Sequence, residues 1–287
     1  MCGPSRPHVY FMDACFYRRN SLETMLRTMS LSELLDSPFH LYRKHFVVFC
    51  GIVAISNLII LLFTVAESSF HFLSSRIAIF IFLLLVSIAY FFAQAAVISA
   101  VSQVHLGRPA SIGASFAAVK GSMVEVIFAI ILTVTAIVFG LIFCLVPGMY
   151  LLVVWSLTIP VVIIENRGPL EAIKRSFFLT KGSWFRIFLV LFMVTVIMCS
   201  IAFTILIPVF VLMIIWGMQN PQGIPVWILV LFQISIFIAT CVAVPISLIA
   251  TSLIYYDQRV RKEGFDLQLM IAAIKSKQHS NTVSPGA

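Results

Sequence analysis

The chain has 287 residues, of which 61% are hydrophobic and only 10% are charged, whereas soluble domains are about 45–50% apolar and about 25% charged. Together with a mean hydropathy of +1.08, this composition excludes a soluble globular enzyme, because only lipid can cover so much apolar surface. The net charge of +8 does not indicate a nucleic-acid partner, since Lys and Arg lie in short segments between apolar runs. We therefore predict an all-α, multi-pass integral membrane protein.

The N-terminal segment 1–28 differs from the rest of the chain. It has no helical periodicity, and no apolar run before Arg43 could act as a cleavable signal peptide. We predict a disordered leader or a mis-assigned start at 1–28, a membrane domain at 29–270 and a disordered tail at 271–287.

Four apolar runs, bounded by ionisable residues, follow in chain order. Each of the first two is long enough for one helix, since about 20 apolar residues cross the hydrocarbon core. The other two are too long for one helix, and turn signals at Pro147-Gly148 and at 217–225 divide each into a helical hairpin. We expect the last two spans to tilt or bend, with Pro208 and Pro245 as bend points. The six predicted spans are 46–66, 77–101, 124–146, 149–165, 187–216 and 225–256.

The distribution of basic residues predicts the orientation in the membrane. Eighteen of the 19 Lys and Arg residues fall in the tails and in the loops 105–123 and 165–186, and only Arg76 falls on the opposite side. Because cytoplasmic loops are enriched in Lys and Arg, we expect both termini to lie in the cytoplasm of a cell with an inner membrane.

An internal repeat is suggested by the connectors. A shift of 61 residues superposes 112–125 on 173–186 with six identities in 14 positions, and a weaker copy lies near 33–41. Two spans follow each copy, so we predict three parallel repeats of an amphipathic helix and a helical hairpin. The alternative is that similar connectors arise wherever a short helix joins two spans.

The best-defined copy runs from Gly168 to Gly182. Pro169 suits the first helical position, the pattern predicts one apolar face and one charged face, and the helix should lie in the headgroup layer. The predicted apolar stripe is Leu170, Ile173 and Phe177, and the residues predicted to face away are Glu171, Lys174 and Arg175, with Glu171 and Arg175 as an i,i+4 pair. This helix either holds anionic lipid or a partner, or is an ordinary connector of the cytoplasmic side.

The predicted spans carry no ionisable residue at mid-membrane. Their polar residues are amides and hydroxyls, which hydrogen bonding between helices explains, although Asn57, Gln94 and Gln233 could instead line a polar cavity. Ala89, Ala93, Ala96 and Ala100 predict close packing of the second span. The six His and six Cys residues show no metal-ligand spacing, and no catalytic motif occurs. We predict no catalytic residue, no metal site and no cofactor.

Two stretches of the sequence have features that are more specific than an apolar composition. The stretches are residues 147–188 and residues 245–270, and the second contains the segment Tyr256-Asp257-x-Arg259-x-Arg261. They resemble the bacterial membrane domain named after glycerophosphoryl diester phosphodiesterases. Residues 31–46 fit the opening of that domain. The resemblance covers about 30–270 and implies a six-helix membrane protein, usually without assigned activity. In fused members the chemistry belongs to a separate soluble barrel, which this sequence does not contain, so we do not carry the enzymatic name over.

The segment 257–266 can be interpreted physically. Tyr255 and Tyr256 are expected to form an aromatic anchor at the interface, and Asp257, Glu263 and Asp266 could form ion pairs with the basic connector 167–186. The specific pair that we predict joins Arg259 to Glu171 or Glu165. Cations predicted to contact lipid or a partner are Arg167, Lys174, Arg175, Lys181, Arg186, Arg259, Arg261 and Lys262.

These observations favour a non-enzymatic membrane scaffold or accessory subunit with a basic cytoplasmic face. Its expected partners are membrane lipids and a membrane or cytoplasmic protein. The alternative is a transporter or channel for a small molecule or lipid that uses the three amides. A membrane-embedded enzyme is a third class, and it would need clustered ionisable groups that the sequence does not show.

Overall fold

The computed structural model describes residues 28–70, 76–105, 109–143, 145–220 and 223–264. Within these ranges every regular element is a helix, as the composition predicts. The predicted tail 271–287, and the predicted leader up to residue 27, lie outside the described residues. The helices are α1 Leu31–Lys44, α2 Phe46–Phe70, α3 Arg76–His105, α4 Ile112–Lys120, α5 Met123–Phe143, α6 Leu145–Val154, α7 Thr158–Glu165, α8 Pro169–Thr180, α9 Trp184–Gln219 and α10 Val226–Glu263.

Six stretches of the described chain are long and apolar enough to cross a membrane, which confirms the predicted number of spans. The fourth combines α6 and α7, which a short interruption separates at 155–157. The protein is therefore a multi-pass membrane protein. The six stretches are Phe46–Val65, Ile81–His105, Met123–Phe143, Leu145–Glu165, Trp184–Gln219 and Val226–Glu263.

Helix α1 begins with a capping box. The Ser30 hydroxyl accepts a hydrogen bond from the Glu33 backbone N–H at 3.2 Å, and the Glu33 carboxylate accepts one from the Ser30 N–H at 2.8 Å. The helix then runs antiparallel to the C-terminal half of α10. Met29, before its start, contacts Asp257, and Tyr42 near its end donates to the Cys241 carbonyl.

The predicted turn at Pro147-Gly148 is wrong. Helix α5 ends at Phe143 and α6 begins at Leu145, so both residues lie in the first turn of α6. Proline is tolerated there because a first-turn N–H has no helical partner to lose. Gly148 packs against α5, where an added Cβ would lie 2.6 Å from the Leu141 backbone nitrogen. The Pro-Gly pair therefore permits a tight hairpin.

The second predicted turn is confirmed. Helix α9 ends at Gln219, α10 begins after Pro225, and Gly223 between them has a φ of +104° that favours glycine. Both long helices continue through their internal prolines, Pro208 and Pro245.

The order of elements agrees with the predicted unit of a short helix followed by two spans. Helices α1, α4 and α8 each precede such a pair. Ser115 and Ser176, equivalent in the predicted repeat, are both fully buried. The threefold repeat of the arrangement itself stays a prediction.

The core is concentrated toward one end of the bundle. There the C-terminal half of α10 is buried almost continuously. Ala93, Ala96 and Ala100 of α3 are buried too, which confirms close packing of the second span at these three positions, whereas the fourth predicted alanine, Ala89, is half-buried. The remaining length of the spans exposes many large apolar side chains, such as Phe203 and Phe210 on α9, as expected for surfaces that face lipid.

Candidate functional site

Polar side chains from several elements meet at the buried end of the bundle. Asp257 of α10 contacts Met29 before α1, the His105 ring at the end of α3 stacks on Tyr256 with centroids 4.1 Å apart, and Ser122 before α5 donates to Asn166 after α7. We call this region the polar end: residues 29–30, 102–105, 122–125, 165–186 and 255–263. It gathers the basic loops that the sequence analysis placed on one side of the membrane.

Asp257 is the centre of the first cluster at the polar end. Its side chain is fully buried and accepts hydrogen bonds from the Met29 backbone N–H at 2.8 Å and from Arg261 Nε at 2.9 Å. Arg186 Nη2 lies 3.5 Å from the same carboxylate. Both guanidinium groups also donate to the Met29 carbonyl. The backbone of Met29 is thus held by one acid and two cations, which join the start of α1 to α9 and α10.

Glu165 is the centre of the second cluster. Its side chain is only 6% exposed and accepts from Tyr255 Oη at 2.9 Å and from Arg175 Nε at 3.1 Å, while Arg167 Nε lies 2.7 Å away. Arg175 also forms an ion pair with Glu263. Burial alone lowers the pKa of Arg175, but its hydrogen bonds to Glu263 and Glu165 outweigh this and raise the pKa above its ordinary value.

The two clusters confirm that Asp257 and Glu263 form ion pairs with the basic connector, through Arg186 and Arg175. The closest contacts differ from the predicted pair. Arg175 contacts both Glu165 and Glu263. Arg259, which the sequence analysis named, pairs with Glu263 on its own helix at 3.3 Å, and its charge also acts on Glu165, one of the two predicted acids. Asp266, the third acid of the prediction, lies outside the described residues.

Two further predictions for this region are wrong. Arg175 was expected to face away from the protein beside Glu171, but its side chain is 15% exposed and points inward to two acids. Tyr255 and Tyr256 do not form an interfacial anchor, because both rings are buried and their hydroxyls donate to Glu165 and Ser102. The hydrogen bonds to the Glu165 carboxylate and to the Ser102 hydroxyl make the burial of the two tyrosines favourable. The sequence alone does not reveal that these residues are their partners.

Helix α8 has the predicted ends but a different buried face. Gly168 is the N-cap, Pro169 occupies the first turn, and Gly182 just after the helix has a φ of +82°. The face packed on the protein carries Ala172, Ser176, Leu179 and Thr180, and Ser176 Oγ donates to the Val154 carbonyl at 2.7 Å. The predicted stripe is exposed at Leu170 and Phe177. That outer apolar surface suits a helix in the headgroup layer.

The eight cations that were predicted to contact lipid or a partner differ in whether they are paired inside the protein or exposed. Arg175, Arg186, Arg259 and Arg261 all make ion pairs within the polar end. Lys262 Nζ donates to the Phe178 carbonyl at 3.1 Å and also to the Lys181 carbonyl. Lys174 and Lys181 are exposed, and the Arg167 side chain is 45% exposed although it pairs with Glu165. The outward-facing cations are therefore Arg167, Lys174 and Lys181.

The three predicted cavity amides lie on different helices and at different depths. Asn57 is buried and donates to the Val53 carbonyl of its own helix at 3.0 Å. Gln94 and Gln233 are half-buried. At about 1.5 Å per residue, Gln94 lies about 12 Å along α3 from Ser102 of the polar end, whereas Gln233 lies about 36 Å along α10 from Asp257. This arrangement does not bring the three amides together.

Sequence reasoning named Glu165 as a partner for Arg259 but did not place it at the centre of a cluster, and it missed the roles of the Tyr255 hydroxyl and the Met29 backbone. The i,i+4 spacing of Asp257 with Arg261, and of Arg259 with Glu263, was a usable signal, and both pairs form. Met29 contributes only backbone atoms to the cluster around Asp257. Any residue would supply these atoms, so the identity of residue 29 could not predict the contact.

One family model matches the chain. The model described as the membrane domain of glycerophosphoryl diester phosphodiesterase matches residues 124–284, which is more than half of the chain and includes α7, α8 and α10 of the polar end. Neither the curated proteins nor the solved structures include a match.

Proposed function

The chain belongs to the family of the membrane domain of glycerophosphoryl diester phosphodiesterase, and from this premise we propose that it is a non-enzymatic membrane scaffold or accessory subunit. Its polar end would contact anionic lipid headgroups or an acidic protein partner. The matched family model describes the membrane domain alone, which agrees with a role other than catalysis.

The observation that carries the proposal is the way charge is distributed at the polar end. The buried acids Glu165 and Asp257 are matched by arginines inside the protein. The cations that face outward, Arg167, Lys174 and Lys181, are accompanied on α8 by the exposed acid Glu171. The outer surface therefore keeps an excess of positive charge, and each such cation near an anionic leaflet contributes about 1 kcal/mol of attraction.

We further propose that the polar end faces the cytoplasm and that the membrane is a bacterial inner membrane. The support is the bias of Lys and Arg toward this side. Anionic lipids of the inner leaflet would then be the lipids that it meets.

The alternative of a transporter for a small molecule or lipid has less support. A carrier needs a hydrated path, but the Asn57 amide donates to its own helix, and Gln94 and Gln233 lie at different depths. Two grooves on the described part of the molecule, one between α6 and α9 and one further along α9, are lined by apolar side chains.

A test separates the two functions. Single cysteines would replace Ser56 and Ala93, which lie next to Asn57 and Gln94 and are buried, in a chain whose native cysteines are changed to Ala. We expect both to resist a water-soluble maleimide in membranes, whereas a control cysteine at the exposed Lys174 should react. Rapid reaction at position 56 or 93 would favour the transporter and contradict the scaffold.

A second test addresses the partner. Native mass spectrometry of the protein extracted from its own membrane in an amphipathic polymer reads which lipids and polypeptides leave with it. We expect a stoichiometric polypeptide or an enrichment of anionic lipid, and loss of both would contradict the proposed contact surface.

A further inference from the structure

An apolar groove lies beside the polar end, between α6 and the first turns of α9. It has a volume of about 660 Å³, which is within the range of small-molecule sites. Its walls carry only apolar and aromatic side chains. The principal ones are Val146, Met149, Tyr150, Trp184, Phe185 and Phe188.

The end of the groove nearest the polar end is marked by aromatic residues. Tyr150 and Trp184 pack edge to face with centroids 6.2 Å apart, and Phe185 packs edge to face on Trp184. Tyr and Trp prefer the level of the lipid headgroups because one end of each side chain is apolar and the other is polar. From Tyr150 the groove continues along α6 to Val146, the other end of that wall.

A positive charge lies close in the chain to the aromatic wall of the groove. Lys181 is exposed and is three residues before Trp184. The first turn of α9 follows, its N-cap Ser183 makes no side-chain hydrogen bond to the helix, and the N-terminal turn of a helix attracts anions. An apolar groove next to an exposed lysine is complementary to a lipid that carries a phosphate.

A second groove provides an internal comparison. It has a volume of about 410 Å³ and lies further along α9, lined by Phe203, Leu206, Ile207, Phe210 and Phe232. The helix carries no Lys or Arg between Arg186 and its end at Gln219. This second groove is apolar but has no Lys or Arg beside it on α9.

We propose that the groove between α6 and α9 binds one anionic glycerophospholipid. One acyl chain would lie between Met149 and Phe188, and the phosphate would lie at Lys181 and the first turn of α9. This inference deepens the proposed function and rests on it, since it assigns a lipid class and a position to the basic lipid-contacting face.

The experiment is a lipid titration of the purified full chain by native mass spectrometry. The two probes are dioleoyl phosphatidylglycerol and dioleoyl phosphatidylcholine, which have the same acyl chains and differ in headgroup charge. Met149→Trp would fill the groove, and Ile207→Trp would fill the second groove as its matched control, since both positions are exposed. Lys181→Gln would remove the cation next to the groove, and Lys120→Gln, at an exposed lysine of α4 outside the proposed contact cations, is its control.

We expect the wild-type chain to bind phosphatidylglycerol more tightly than phosphatidylcholine. Lys181→Gln should weaken phosphatidylglycerol about fivefold, the change that one cation near a lipid phosphate supplies, and should leave phosphatidylcholine unchanged. Met149→Trp should abolish the first phosphatidylglycerol adduct, while Ile207→Trp and Lys120→Gln should behave as wild type. Unchanged thermal unfolding of each variant confirms that it folds.

Each other outcome overturns a defined part of the proposal. Equal binding of the two lipids by the wild type would contradict the basic lipid-contacting face, and with it the lipid part of the proposed function. A preference for phosphatidylglycerol that Met149→Trp does not change would contradict the groove alone. Equal loss of both lipids in Met149→Trp, with no effect of Lys181→Gln, would show an acyl site that does not select anionic lipid.

Discussion

At the scale of residues, buried charge at the polar end has structural consequences. Asp257 has no exposed side-chain surface, yet three donors from three parts of the chain surround it. A carboxylate taken out of water is tolerated only when its oxygens are hydrogen-bonded and its charge is matched. Arg186 and Arg261 supply this charge and remain partly exposed, at 26% and 30%. The pairs should therefore contribute less than fully buried ones.

Asp257→Asn should destabilise the protein. The change leaves Arg186 and Arg261 without their anion and weakens the hold on the Met29 backbone, so we expect a loss of about 2 kcal/mol in the free energy of unfolding. Unfolding of the purified protein in mixed micelles, followed by circular dichroism, measures it. Glu171→Gln, which changes an exposed acid, should have almost no effect, and an equal loss in the two variants would contradict the role of Asp257.

The choice of partner by Arg175 can be tested with a double-mutant cycle. Arg175→Gln and Glu263→Gln should show a coupling of about 1 kcal/mol, because the paired side chains are 15% and 22% exposed. The same cycle with Glu171, four residues before Arg175, should give a coupling near zero. A larger coupling to Glu171 than to Glu263 would favour the helix-surface pair that the sequence suggests over the inward contact of the structure.

At the scale of elements, hydropathy predicted the six spans well, because lipid imposes a length and a composition on each span independently of its neighbours. The errors arise where a tertiary contact decides. Pro147-Gly148 is a turn signal in sequence, but the same pair suits the first turn of a helix that packs tightly on the preceding one. The inner face of α8 was likewise misassigned, since small residues such as Ala172 and Ser176 pack closely there and hydrophobicity alone favours the larger ones.

Substitution of Gly148 should separate the α5–α6 hairpin. A Cβ at this position would lie 2.6 Å from the Leu141 backbone nitrogen, and backbone cannot move aside as a flexible side chain can. We expect Gly148→Ala to lower the free energy of unfolding by about 1–3 kcal/mol. Gly113→Ala is the matched control, because nothing lies within 4 Å of its added Cβ and alanine favours a helix. A neutral Gly148→Ala would mean that the two helices are not in close contact.

At the scale of the whole molecule, ion pairs and burial are concentrated at one end, and the opposite half of the spans exposes apolar side chains to lipid. Composition and the bias of Lys and Arg anticipate that the basic loops gather on one side. The same features do not predict which cations form ion pairs inside the protein, because that depends on the antiparallel contact of α1 with α10 and on the approach of α8 to α10. Of the eight cations predicted to make contacts, the outward-facing Arg167, Lys174 and Lys181 therefore remain for a lipid or a partner.

We expect the same charge distribution to set the orientation of the polar end, which would decide which leaflet supplies its lipids. Single cysteines would replace Ser122 and Lys174 at the polar end and the exposed Gln219 at the end of α9, in a chain without native cysteines. In intact spheroplasts, a membrane-impermeant maleimide should label position 219 only, and permeabilisation should add positions 122 and 174. The physical reason is that moving the Lys- and Arg-rich loops across the membrane is disfavoured during insertion. Labelling of 122 and 174 before permeabilisation would reverse the orientation and place the lipid groove in the outer leaflet.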